Sequence, residues 1–150
     1  VDATRNAVNN FVLEAFDGNA EMQTEVTTEK SGTAIPANWD GPFVVTWVPE
    51  RFSDVKSVEM SGTWHLLYDD LNNSLDLLVN VWDCEQSPHI STDNLNEVAS
   101  ETILGTQAII YTNPIDASHM LLWTYNNYNV QIYGSITCEE AKKIAKNIVF

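Results

Sequence analysis

LLWTYNNYNVQIYGSITCEEAKKIAKNIVF, residues 121–150, is the stretch whose reading decides the fold. On either side of Asn126-Asn127 the side chains alternate. Trp123 and Tyr125 share a parity before the pair. After it, Tyr128, Val130 and Ile132 fall on one face and Asn129, Gln131 and Tyr133 on the other. A period of two belongs to strands with two distinct faces, and an Asn-Asn pair tolerates the positive φ of a type I′ turn. Residues 119–125 and 128–134 are therefore read as a hairpin. The period then changes. Thr137 followed by Glu140 makes a T-x-x-E capping box, with Ile136 placed to staple against Ala141. Ala141, Ile144, Ala145 and Ile148 form an apolar stripe, and Lys142, Lys143 and Lys146 lie toward the negative end of the helix dipole. A helix over 138–149 is expected, and the whole unit reads as core rather than as a site.

Working outward, FVVTWV (43–48) reads as a strand ended by Pro49, and 54–60 with 63–69 as a hairpin turning at Ser61-Gly62. Residues 75–82 alternate Leu75, Leu77, Val79 and Val81 with Asp76 and Asn80, the pattern of a half-buried strand. Strands near 97–104 and 107–112 turn at Gly105, with a helix over 93–100 competing for the first. Toward the N-terminus, Ala7, Val8, Phe11, Val12 and Ala15 recur at helical spacing within 3–16, between an N-cap candidate at Asp2 and a terminator candidate at Gly18. Residues 22–27 alternate like a strand, and 31–42 is a Gly- and Pro-punctuated connecting loop. The expected architecture is α+β: one domain over 1–150, a single antiparallel, meander-rich sheet, and the N-terminal and C-terminal helices packed on it.

The chain has 150 residues and a formal net charge of −14, from 7 Lys+Arg and 21 Asp+Glu. No Lys or Arg occurs from Ser57 to Ala141. Such a surface repels phosphate backbones and anionic headgroups, which argues against nucleic acid and polybasic membrane docking. No apolar run approaches the ~18 residues that span a bilayer. Any signal or anchor would lie upstream of Val1. The two cysteines, Cys84 and Cys138, permit one disulfide, and two free thiols are the competing reading.

Taken in order, WVPERF (47–52), the hairpin into LLVNVW (77–82), ISTDNLNEVASETILGTQAIIY (90–111) and LLWTYNNYNVQIYGSITCEEAKKIAKNI (121–148) resemble a bacterial extracytoplasmic domain of unknown function. That family lies C-terminal to a membrane anchor in Gram-positive bacteria, behind an anti-sigma-factor-like cytoplasmic region in some members. Its pattern runs W-x-P-E-G-F, a β-meander, a Gly-centred hairpin and a closing W-x-x-x-x-Y segment into an E-E-x-x-K-I-A helix. The resemblance covers 43–148, and Trp123 to Ala145 carries most of it. Arg51 stands where the family tends to have Gly, and Ser91-Thr92-Asp93 replaces an acidic pair. The resemblance implies a location outside the cytoplasmic membrane, within a longer tethered protein, and transfers no catalytic residue.

Catalytic and metal chemistry find little to start from. His65, His89 and His119 are isolated in sequence, and His65 beside Trp64 reads as a surface or half-buried sheet residue. The cysteines make no C-x-x-C pair, the glycines are singletons, and no G-x-S-x-G elbow is present. Asp70, Asn72, Ser74 and Asp76 alternate as calcium ligands do, but Leu75 and Val81 stand where an EF-hand loop needs Gly and Glu. No catalytic residue, metal or cofactor is expected. Aromatics are the remaining candidates. Trp64, Trp123, Tyr125, Tyr128 and Tyr133 could form a binding surface on the sheet, against the plainer reading that the rings pack beneath the helices. The functional expectation is a monomeric, non-catalytic binding or sensory module with an unknown protein, peptide or apolar ligand. A lipid or hydrophobic-ligand carrier and a small hydrolase are the alternatives.

Overall fold

The structure is a computed structural model that describes residues 35–36, 39–70, 76–85 and 90–150. In chain order these form β1 (Val44–Val45), β2 (Phe52–Met60), β3 (Thr63–Asp70), β4 (Leu77–Asp83), β5 (Asn96–Ile103), β6 (Thr106–Thr112), β7 (His119–Tyr125), β8 (Tyr128–Gly134), α1 (Cys138–Lys146) and β9 (Ile148–Val149). Seven strands make one antiparallel sheet in the order β2-β3-β4-β8-β7-β6-β5, while β1 and β9 pair separately.

Local chemistry sets each hairpin. Asn126 and Asn127 both take positive φ (53° and 65°), the type I′ turn their amides tolerate. Leu104-Gly105 turns β5 into β6 the same way, with φ of 49° and 83°. Two meanders result, β2-β3-β4 and β5-β6-β7-β8, and the contact of β4 with β8 joins them. Along this seam Leu77 faces Gly134, Asn80 faces Gln131 and Asp83 faces Tyr128. Gly134 is required by space. A Cβ there would lie 2.5 Å from the Asp76 carbonyl oxygen and 3.0 Å from Leu77 Cα.

Alternation gives the sheet two buried faces. On the helix face, Leu66, Tyr68, Leu77, Val79, Val81, Ile110, Leu121, Val130 and Ile132 pack with Phe43, Val45 and Val48 and with Ala141, Ile144 and Ala145 of α1. On the second face, Val58, Leu78, Met120 and Tyr133 form a separate cluster that Ile90 and Leu95 touch. The route of the chain explains those two contacts. β4 ends beside the Asn126-Asn127 turn, whereas β5 begins at the far edge and at the other end of the sheet. The connection must therefore cross four strand spacings, about 19 Å.

Four readings need correcting. Among the described residues the fold is mostly β rather than α+β with two packed helices: 54% of them are strand, and one short helix accompanies the sheet. The helix expected over 3–16, the strand over 22–27 and half of the 31–42 loop lie outside the described residues. The terminal helix stops at Lys146 instead of 149, because the Asn147 carbonyl accepts from Thr46 N–H and Val149 pairs with Val44. FVVTWV contributes two residues to that small sheet and none to the large one, since Phe43, Val45 and Val48 are all needed in the helix-side core. The 93–100 helix does not form; Asn96–Ile103 is a strand.

The capping box is present. Thr137 Oγ1 accepts from Glu140 N–H at 3.1 Å, and Glu140 Oε1 accepts from Thr137 N–H at 3.0 Å. Arg51 reinforces it. Its Nη1 and Nη2 donate to the two Glu140 oxygens at 2.8 and 2.7 Å, and Nη2 also donates to the Ser135 carbonyl at 2.8 Å. Hydrogen bonding to Glu140 raises the Arg51 pKa, and the same contact lowers that of Glu140. Arg51 does not take a positive φ, so its turn accommodates a side chain where the family pattern has Gly.

Thr137→Ala should lower stability by about 1 kcal/mol in urea unfolding, since it removes one half of the box. Gly134→Ala should cost more, about 1–3 kcal/mol, because backbone rather than a movable side chain occupies the Cβ position. An unchanged midpoint for Gly134→Ala would contradict the close approach of β4 and β8.

Candidate functional site

The second face of the sheet carries polar residues where a core should be apolar. His65 on β3, Asn80 on β4 and Gln131 on β8 are each 0% exposed and stand directly opposite one another in register. They are linked side chain to side chain. His65 Nδ1 is 3.0 Å from Asn80 Oδ1, Asn80 Nδ2 donates to Gln131 Oε1 at 2.8 Å, and Gln131 Nε2 donates to Met120 Sδ at 3.0 Å. Because Asn80 donates through its nitrogen, its oxygen must accept. That sense assigns the proton to His65 Nδ1 and the lone pair to Nε2. Burial lowers the His65 pKa below its ordinary 6.5, with the Asn80 contact opposing in part. The imidazole is thus held neutral, its ring edge-on to Trp82 at 6.0 Å.

Beside one end of this row, toward the β7–β8 turn, lies an open pocket of about 300 Å³. Trp82, Ile90 and Leu122 supply apolar wall, and Thr124 and Asn129 supply polar groups. Thr124 Oγ1 donates to Asn129 Oδ1 at 3.0 Å, which leaves the Asn129 amide nitrogen as the donor available to a bound molecule. This size and mixed lining match the lower end of small-molecule sites. A second, more polar depression of about 510 Å³ lies at the turn itself, between Asp83, Cys84, Glu85 and Asn126, Asn127, Tyr128.

Four of the five aromatic candidates come together on the helix face. Trp123 stacks on Tyr125 (5.2 Å, 15° between planes), and Trp64 meets Tyr128 edge-on at 5.9 Å. Phe150, not singled out from sequence, stacks on Tyr128 at 5.5 Å and also touches Tyr125 and Trp123. Trp123 is 3% exposed, and Trp64, Tyr125 and Tyr128 are half-buried. Tyr133 stands on the opposite face at 4% exposure, in the cluster with Leu78 and Met120.

Cys84 and Cys138 are free thiols. They flank opposite ends of β8, whose seven residues span about 20 Å, well beyond the reach of a disulfide. His119 Nδ1 donates to the Ile136 carbonyl at 2.6 Å and so ties β7 to the entry of α1. His65 is fully buried rather than at the surface, and His89 lies outside the described residues. Among the described residues no three His, Cys, Asp or Glu side chains gather as metal ligands would, and no helix is long and apolar enough to cross a membrane.

Residues 42–148, most of the chain, match a family described as Domain of unknown function (DUF4367). The chain belongs to this family. No curated protein and no solved structure matches it. The matched span begins two residues before β1 and ends within β9, so the DUF4367 unit contains all seven strands of the large sheet, α1, the polar row and both pockets. Asn80 and Gln131 escaped the sequence reading because each sits where alternation predicts a wet position. Within its own strand neither carries a signal of burial.

The row gives the DUF4367 domain a specific acid sensitivity. Below about pH 6.5 the unfolded chain binds a proton at His65 that the folded state, with its lowered pKa, resists. Stability from this group is therefore complete above that pH and falls as pH drops through it. His65→Gln should flatten the fall in urea midpoint between about pH 7 and pH 5. A mutant that kept the wild-type slope would show that His65 does not titrate on unfolding in this range.

Proposed function

We propose that this DUF4367 domain is a non-catalytic binding or sensory module, and that its ligand occupies the pocket formed by Trp82, Ile90, Leu122, Thr124 and Asn129. The observation that carries this reading is the pocket's setting. A rigid sheet whose register is tied by the His65–Asn80–Gln131 row presents an indole and two aliphatic side chains beside a free amide donor. That combination suits a small molecule with an apolar body and one hydrogen-bond acceptor. We further propose that the module works outside the cytoplasmic membrane, as part of a tethered protein. The order of the WVPERF, LLVNVW and terminal hairpin–helix motifs supports that setting, and the acidic surface is compatible with it.

The reading is tested by native mass spectrometry of the gently purified domain together with amide chemical shifts. A co-purifying small mass, or an added amphipathic compound, should perturb Thr124 and Asn129 first. Leu122→Trp, which fills the pocket, should weaken that binding by about tenfold or more while leaving the fold intact. A bound lipid contacting the Val58, Leu78 and Met120 cluster would put the domain among carriers instead. Binding undiminished by Leu122→Trp would remove the pocket from consideration.

A further inference from the structure

The large sheet has two edges, β2 and β5. At β5 the register shows which backbone groups are unpaired. The Leu104-Gly105 turn makes Ile103 and Thr106 a hydrogen-bonded pair, and alternation then points the N–H and C=O of Glu101 and Ala99 inward to β6. The backbone groups of Ser100 and Thr102 accordingly point outward, and both residues are exposed. A bulge between Glu97 and Ala99 confines the regular edge to 99–103. Val98 and Leu104, 48% and 58% exposed, flank that stretch at its two ends.

Charge distinguishes this edge further. Among the described residues the cations gather around α1. Arg51 is held by Glu140, Lys142 by Glu139, Lys146 by Glu101 at 2.6 Å, and Lys143 lies over the Trp47 ring at 4.2 Å. Lys56, the other cation, is on β2 at the opposite edge. Exposed Glu97 at the start of β5 and exposed Asp93, three residues before the strand begins, have no such neighbour among the described residues, and Glu101 holds the end of α1 against the strand.

We propose that the β5 edge is a docking edge for an extended, cationic segment of a partner protein, which adds as an eighth strand against Ser100 and Thr102. Main-chain hydrogen bonds to those two residues supply the geometry. Lys or Arg facing Glu97 and Asp93 supplies the selection, and Val98 and Leu104 receive apolar side chains at the ends. A second copy of the chain is a poor occupant, since it would bring its own bulge, its own acids and a charge of −14 to the same line.

The probe is a short peptide of alternating lysine and valine, with a glutamate–valine peptide as control. Added to the intact protein, the cationic peptide should slow amide hydrogen exchange at Ser100 and Thr102, and the control should not. Ser100→Pro removes an outward donor at an edge position where proline is tolerated, and should weaken binding about tenfold or more. A backbone N-methylated version of the same peptide should lose binding as well, which tests the hydrogen bonds without altering the protein. Equal binding of the N-methylated peptide, or binding with no protection at Ser100 and Thr102, would reduce the contact to diffuse electrostatics and overturn the proposal. Protection of those amides that rises with protein concentration alone would also overturn it, by assigning the edge to a second copy.

Discussion

Everything else in this molecule depends on how β4 meets β8. Both strands are buried on both faces, and among the described residues their contact is the only seam between two meanders that are otherwise local in sequence. The helix-side half of the core, Val79 against Ile132 and Val81 against Val130, exists only in this register, and so does the polar row behind it. Gly134 closes the seam because the neighbouring backbone leaves no volume for a Cβ. A slip of one residue would carry Gln131 into the aliphatic layer under α1 and Ile132 out of it.

This gives the His65–Asn80–Gln131 row a structural role. Burying three polar side chains is unfavourable unless each finds a partner, and here each donor meets an acceptor across a strand boundary. Apolar residues of the same volume would pack equally well in several registers. A directional chain of hydrogen bonds is satisfied in one. The row therefore holds rigid the floor from which Trp82 and Leu122 rise, and the pocket inherits its shape from it.

Among the described residues, four of the five positive charges lie around α1, and Arg51, Lys142 and Lys146 are tied there in ion pairs. Arg51 joins the segment before β2 to the capping box, with Asp70 3.7 Å away, and Lys146 joins the end of α1 to β5. Two consequences follow from this concentration. The helix is anchored at both termini by interactions that its own sequence only half supplies. Glu101 on β5 is neutralised by Lys146, while exposed Glu97 at the start of that strand has no such neighbour among the described residues.

The amino-acid sequence by itself determined the hairpin at Asn126-Asn127, the Thr137–Glu140 capping box and the parity of β4 and β8, because each depends on groups within a few residues of one another. The parity of Tyr133 against Tyr128 was legible for the same reason. It did not determine that Asn80 and Gln131 are dry, that His65 is buried, that β5 is an edge, or that Phe150 completes the aromatic cluster. Those outcomes rest on contacts between segments well separated in the chain, fifty-one residues in the case of Asn80 and Gln131. Alternation tells which side chains share a face, but only tertiary structure decides what covers that face, and burial rather than parity turns a polar side chain into part of a site.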